Sequence, residues 1–128
     1  MRKPEFVDAG QAAEMIRSHS TVATIGMTLV SASESILKAI EKRFLETGEP
    51  CGLTLVHSCG QSDRDRGIQH FAHEGMLRCI IGGHWGLQPK IMEMISDNKM
   101  LAYCIPVSYT HHRAHETDSY LVCRLLLE

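Results

Sequence analysis

The sequence predicts an α/β domain, a three-layer αβα arrangement around a mainly parallel sheet. Four apolar, β-rich runs carry this reading: TVATIG (21–26), GLTLVH (52–57), LRCII (77–81) and MLAYCI (100–105). Stretches with helical periodicity separate them, and unbroken strand–helix alternation argues for parallel pairing with right-handed crossovers. The third run places isoleucines on both parities, as suits a strand covered on both faces. Four strands are few for such a sheet, so the chain is expected to be a truncated piece of a larger unit.

The elements follow in order. Asp8 is placed to cap a first helix with Gln11 as its capping-box partner, and Ala9, Ala12, Met15 and Ile16 are expected to share its inner face. After the first strand, Ser31 and Glu34 form a second capping-box pattern. Ile36, Leu37, Ile40 and Phe44 then mark the inner face of a long helix, which Gly48 stops and Pro50 prevents from continuing. The second strand runs into SCGQSDRDRG (58–67), expected to be a solvated loop. Ile68, Phe71 and Ala72 mark a short helix closed by Gly75; its His70 and His73 are read as surface histidines rather than metal ligands, since no third ligand is placed. The third strand ends in GGHWG (82–86). Pro89 opens a further helix, with Ile91, Met92 and Ile95 inward and Asn98 at its stop.

Composition excludes several function classes. The 128 residues hold 13 Lys and Arg against 15 Asp and Glu, a net charge of −2, with no basic block, so no nucleic-acid partner is expected. Apolar runs fall short of a membrane span and MRKPEFVDAG lacks the apolar core of a signal peptide; a cytoplasmic location with no membrane partner is expected. Cys51, Cys59, Cys79, Cys104 and Cys123 form no C-x-x-C pair, and buried free thiols are expected rather than disulfides or metal ligands.

Ligands of open parallel sheets sit at the carboxyl ends of the strands. That rule selects Gly26 and the loop Met27 to Ser31 after the first strand, Ser58, Cys59 and Gly60 after the second, and Gly83, His84, Trp85 and Gly86 after the third. The GGHWG loop reads as a ligand wall; the alternative is a tight turn whose Trp85 caps the core. The glycine spacing of Gly82-Gly83-x-x-Gly86 does not fit a dinucleotide fingerprint.

Three motifs stand in a telling order: Asp63-Arg64-Asp65-Arg66-Gly67, Gly83-His84-Trp85-Gly86 and Ala102-Tyr103-Cys104-Ile105-Pro106. Residues 21–106 resemble the early part of the family I coenzyme A transferases, in the branch that uses acetate or propionate (acyl-CoA:acetate/3-ketoacid). Relatives carry D-R-x-D-R-G, G-H-W-G and A-Y-x-x-P-Q-G in this order. This chain departs at its first loop, Gly26-Met27-Thr28-Leu29, where relatives are glycine-rich, and after Pro106, where Val107 and Ser108 replace the Gln-Gly of the turn. The resemblance implies the isomerase-like CoA-transferase fold, acyl-CoA and a short-chain carboxylate as partners, no resident cofactor because the coenzyme A thioester is a substrate, and a homo-oligomer when intact. It further implies ping-pong transfer through an acyl anhydride and a thioester on a glutamate in the family's second half. No such motif is present, and Glu34, Glu41, Glu46, Glu74 and Glu93 read as solvated or capping residues. No catalytic residue is therefore assigned. The competing class is a stand-alone small-molecule sensor on the related fold.

Two segments are expected: 1–106, a partial N-terminal CoA-transferase domain, and 107–128, a non-native tail. VSYTHHRAHETDSYLVCRLLLE crowds His111, His112 and His115 together as a metal site would. Back-translation offers another origin. In one reading frame Val107 to Thr117 can be encoded by codons that resemble a transposase adapter used in sequencing libraries with one base changed, at His112. Asp118 and Ser119 take the place of a variable index, and Leu121 to Glu128 follow the flow-cell primer.

Overall fold

The computed structural model describes residues 6–58 and 60–106. Within them four strands, β1 (Thr21–Thr24), β2 (Leu53–His57), β3 (Leu77–Gly82) and β4 (Leu101–Cys104), form one parallel sheet in the order β1-β2-β3-β4. Three α-helices, α1 (Ala9–Glu14), α2 (Glu34–Thr47) and α3 (Pro89–Ser96), and a 3-10 helix (Gly67–Phe71) complete the set.

Strands that neighbour one another in sequence order, all parallel, must each be joined by a crossover on the same face when every crossover is right-handed. The burial pattern shows that face. Leu53, Leu55 and His57 on β2 and Leu77, Ile80 and Gly82 on β3 are buried. Register puts Val22, Leu55, Ile80 and Ala102 in one row across the sheet. All four belong to the core or pack against it, together with Leu37, Ile40, Ile68, Phe71 and Ile91 from the helical layer. The opposite row, Ala23, Val56, Ile81 and Tyr103, is half-buried or exposed. Of the three layers expected, the described residues supply the sheet and one helical layer. A register shift between Leu53 and Thr54 admits the extra residue Arg78, whose Nε donates to Thr54 Oγ1 at 3.1 Å.

Local signals set most boundaries. Asp8 and Gln11 form the capping box of α1 in both directions, at 2.8 and 2.9 Å. Gly48 ends α2 at φ 76° with its N–H on the Phe44 carbonyl, and Pro89 begins α3. Arg43 of α2 donates to the carbonyls of Ala13 and Ile16, both at 2.8 Å, so a long-range cation satisfies the open carboxyl end of α1.

Other expectations are corrected. Ser31 does not cap α2: it takes φ 62°, the helix begins after Ser33, and Ser33 makes no side-chain cap bond. Glu34 is drawn away to Gly67 and His70, which removes the second half of the box. In α1 it is Ala13 that is buried while Met15 is 74% exposed, and in α3 Met94 is buried while Met92 lies outward. Both differences are a rotation of the inner face by one or two positions, which periodicity in so short a helix does not resolve. The segment after the 58–67 loop winds as a 3-10 helix, pinned by Ile68 N–H on the Gln61 carbonyl. Among the described residues Cys51, Cys79 and Cys104 are free, with only Cys79 buried; Cys59 and Cys123 lie outside them. No helix of the described residues is long and apolar enough to cross a membrane.

Leu55 is fully buried in the central strand pair and Met92 is 43% exposed. Leu55→Ala is expected to cost about 2–5 kcal/mol in urea unfolding of the full chain, and Met92→Ala less than about 0.5 kcal/mol. Similar losses from both would contradict the assignment of the helical face.

Candidate functional site

The last row of the sheet on its helical face is Thr24, His57 and, continuing the register, Gly82 paired with Cys104. The loops that follow β1, β2 and β3 fold over this row and are tied to one another. Thr28 N–H donates to the Gly60 carbonyl at 3.0 Å, joining the first loop to the second. Ile105 N–H donates to the Gly82 carbonyl at 2.8 Å and the Cys104 thiol to the Gly83 carbonyl at 3.3 Å, joining the third to the end of β4.

The second and third loops pass so close that side chains are excluded between them. A Cβ on Gly83 would stand 2.5 Å from the Ser58 carbonyl oxygen, and one on Gly60 would stand 2.7 Å from the His84 ring. Gly26, Ser58, Gly60, Gly83, His84, Trp85 and Gly86 are thereby gathered at the carboxyl edge, as topology requires; Cys59 lies outside the described residues. Within that group the side chains divide. His84 is exposed, its Nδ1 accepting from Gly86 N–H at 3.3 Å. Trp85 is half-buried, packs against the core, and donates its indole N–H to His57 Nε2 at 3.1 Å. The indole thus does the work of a core cap, and His84 is the side chain the loop offers to solvent.

Buried polar side chains missing from the sequence reading hold these loops. His57, 4% exposed, lies beneath Trp85, and its place was legible because it shares parity with Leu53 and Leu55. Gln88 is fully buried; with its amide nitrogen on the Trp85 carbonyl at 3.2 Å, its oxygen accepts from Gln61 N–H at 3.3 Å and spans two loops. Gln61 Oε1 accepts from the Thr24 hydroxyl at 2.5 Å, while its Nε2 is buried without a protein partner. Nothing in the sequence marked either glutamine, since both precede elements whose pattern says only that a loop ends there. An open cavity of about 470 Å³ lies between β1, α1 and α2, lined in part by Ile16, Val22, Thr24, Ser31, Ile36 and Gln61. Ser31 of the first candidate loop is among its lining residues; of the other expected site residues that are described, Gly26, Ser58, Gly60, Gly83, His84, Trp85 and Gly86, none lines it.

The 58–67 loop is less solvated than expected. Among its described residues Gly60, Gln61, Ser62 and Gly67 are buried, while Ser58 and residues 63–66 are exposed. Asp63 accepts from the Arg66 guanidinium, with Nε at 2.8 Å, and from the Arg66 backbone N–H at 2.9 Å, which hold the carboxyl down to about 2. Ser62 donates to the Arg66 carbonyl at 2.7 Å, and Gln69 Nε2 to the Arg64 carbonyl at 2.6 Å. Gly67 closes the turn at φ 75°, where a Cβ would also strike the Gln61 carbonyl, so only glycine fits.

Behind that turn lies a second correction. His70 is buried, not a surface histidine, with Nδ1 2.5 Å from Glu41 Oε2 and Nε2 2.8 Å from Glu34 Oε1; His73 Nε2 meets Glu41 Oε1 at 2.6 Å. Glu34 and Glu41 are accordingly bonded residues rather than solvated ones. The described residues contain no group of three His, Cys, Asp or Glu arranged to hold a metal ion.

No protein-family model matches the chain. Curated relatives do. It is 33% identical over 103 residues to a caffeate CoA-transferase of Acetobacterium woodii, covering 80% of this chain and 20% of the relative. It is 30% identical over 102 residues to the acetate CoA-transferase YdiF of Escherichia coli K12, covering 78% and 19%. The acyl-CoA transferase YdiF of E. coli O157:H7, solved as a thioester complex with CoA, superposes with a TM-score of 0.76 at 29% identity, covering 78% of this chain and 21% of that one. Its apoenzyme gives 0.75 at 28% identity. The chain is similar to part of these CoA-transferases. It spans about a fifth of the length of the curated relatives.

Burial is the largest influence on Glu34 and on Glu41 and disfavours their charge. It is outweighed for Glu34 by bonds from His70 and Gly67 N–H with the charges of His70 and Lys38, and for Glu41 by bonds from His73 and His70 and their charges; both carboxyls titrate below the ordinary 4.5. A depressed carboxyl contributes stability that is complete above its unfolded value and lost as pH falls through the folded one. The urea midpoint is therefore expected to fall as pH drops below about 4.5, and to fall less steeply in Glu41→Gln. An equal acid slope in both proteins would remove the network from the acid response.

Proposed function

We propose that this chain is a piece of a CoA-transferase that moves coenzyme A between an acyl-CoA and a short-chain carboxylate such as acetate or propionate, and that it is inactive alone. The observation that carries the reading is the ordered set of motifs on the loops of one sheet edge: the GGHWG loop meets the end of β4 through Ile105 N–H on the Gly82 carbonyl and the Cys104 thiol on the Gly83 carbonyl, and the loop that carries the D-R-D-R-G turn packs its Gly60 against His84. The relatives named above are transferases, which favours this reading over a sensor. Caffeate and acetate enzymes both match; the acetate and propionate preference rests on the motif resemblance.

In this reading Gly26, Ser58, Cys59, Gly60, Gly83, His84, Trp85 and Gly86 make one wall of the acyl site. His84 faces the ligand and the Trp85–His57 pair stiffens the wall from below. Pre-set backbone and a buried brace lower the cost of ordering that surface when substrate arrives. The transfer itself needs a glutamate carboxylate to take the acyl group as an anhydride and then the coenzyme A as a thioester. Neither Glu34 nor Glu41 is available for that, because each is engaged with histidines behind the turn. Incubation with acetyl-CoA and propionate, followed by chromatography, is expected to yield no propionyl-CoA above a buffer blank. Turnover would overturn the inactivity.

Residues 107–128 lie outside the described residues, and the adapter reading makes them foreign to the domain. Side chains never selected against this core have no reason to fit it. Truncation after Pro106 is expected to leave thermal stability unchanged and to improve solubility by removing the apolar run 121–127. A loss above about 2 kcal/mol, the scale of a well-packed core side chain, would make the tail part of the fold.

A further inference from the structure

A neutral imidazole has one N–H and one lone pair, and a carboxylate offers acceptors alone. His70 nevertheless presents both ring nitrogens to carboxylates, Nδ1 to Glu41 and Nε2 to Glu34. Both contacts are hydrogen bonds only with one proton more than a neutral ring and two carboxylates supply. The side chains are 11%, 25% and 25% exposed for His70, Glu34 and Glu41, so water does not readily replace a missing bond.

This row reaches the charged turn. Glu34 Oε2 accepts the Gly67 N–H at 3.0 Å, and Gly67 joins the 63–66 turn to the 3-10 helix. Glu41 is shared with His73, which follows that helix and lies with its ring centre 6.0 Å from Phe44 of α2. The groups facing the row are Glu34, Glu41 and Lys38 from α2, Lys38 Nζ standing 3.6 Å from Glu34; His73 after the 3-10 helix; and Arg66 in the turn, which acts on Glu34 by charge.

We propose that Glu34, His70, Glu41 and His73 form a proton-gated clamp, in which an imidazolium His70 between two carboxylates fastens Gly67, and with it the D-R-D-R-G turn, onto α2. When the ring releases one proton to solvent, a lone pair opposes a carboxylate oxygen and the contact turns repulsive. When a carboxylate takes a proton from solvent, it loses the charge that strengthens the bonds it accepts. Either event loosens the base of the turn while the sheet, which shares none of these groups, stays intact. The inference does not depend on transferase activity.

The test uses the full chain labelled with 15N, reading the His70 ring nitrogens by long-range correlation and the exchange rate of the Gly67 amide across pH. Both ring nitrogens are expected to carry a proton wherever the Gly67 amide is protected. As the ring loses its second proton, Gly67 exchange should rise about tenfold beyond the intrinsic pH dependence, with amides of β2 and β3 unchanged. Glu34→Gln leaves a carbonyl acceptor for Gly67 but no carboxylate, and the excess pH dependence should vanish. A neutral single tautomer while the Gly67 amide is still protected, Gly67 exchange that follows only the intrinsic rate, or a Glu34→Gln chain with the full excess would each overturn the clamp. If Glu34→Gln does not fold, the titration of the unaltered chain decides alone.

Discussion

Parallel pairing is the constraint on which the rest of this structure depends. Each strand must be re-entered from the same end, so every carboxyl end faces one way and every connection crosses the same face. The cost is a crossover of helix length between strands, which α2 and α3 supply. The return is a row of four loops and strand ends over Thr24, His57, Gly82 and Cys104, close enough for backbone groups to bond from one loop to the next.

The central pair β2 and β3 gives that edge its rigidity. Leu53, Leu55, Leu77 and Ile80 are buried against Ile40, Ile68, Phe71 and Ile91, while the open side carries the more exposed Ala23, Val56, Ile81 and Tyr103. Above the core, polar groups take over from apolar ones. His57 supports Trp85, Gln88 ties Trp85 to Gln61, and Gln61 holds Thr24. Buried amides and imidazoles are costly unless bonded, so such a chain of partners holds loop positions more sharply than apolar packing alone. Gln61 Nε2 is the exception, buried without a protein partner beneath the Gly26 loop.

Two kinds of carboxylate act in the same turn region. Asp63 is exposed and organises its own turn through Arg66, a local device that salt and water weaken. Glu34 and Glu41 are partly buried and act across elements, joining α2 to residues about thirty positions away in sequence. The second kind decides how the turn sits on the domain.

The sequence by itself determined the four strands, their parallel pairing and the edge where the loops gather, because these follow from spacing, turn residues and handedness, which are local or topological. It likewise determined the Asp8 capping box, the Gly48 stop and Pro89 as a helix start, since each partner lies within four residues. Tertiary structure alone decided the rest. Whether Ala13 or Met15, Met94 or Met92, turned inward depended on the angle at which a short helix met the sheet. Glu34 left its expected cap because a histidine and an amide from a distant turn offered it better partners. His70 went inside for the same reason. Trp85 and His84, adjacent in one loop, took opposite roles because a buried His57 stood under the first. Such outcomes depend on which groups meet in space, and a one-dimensional pattern does not carry that information.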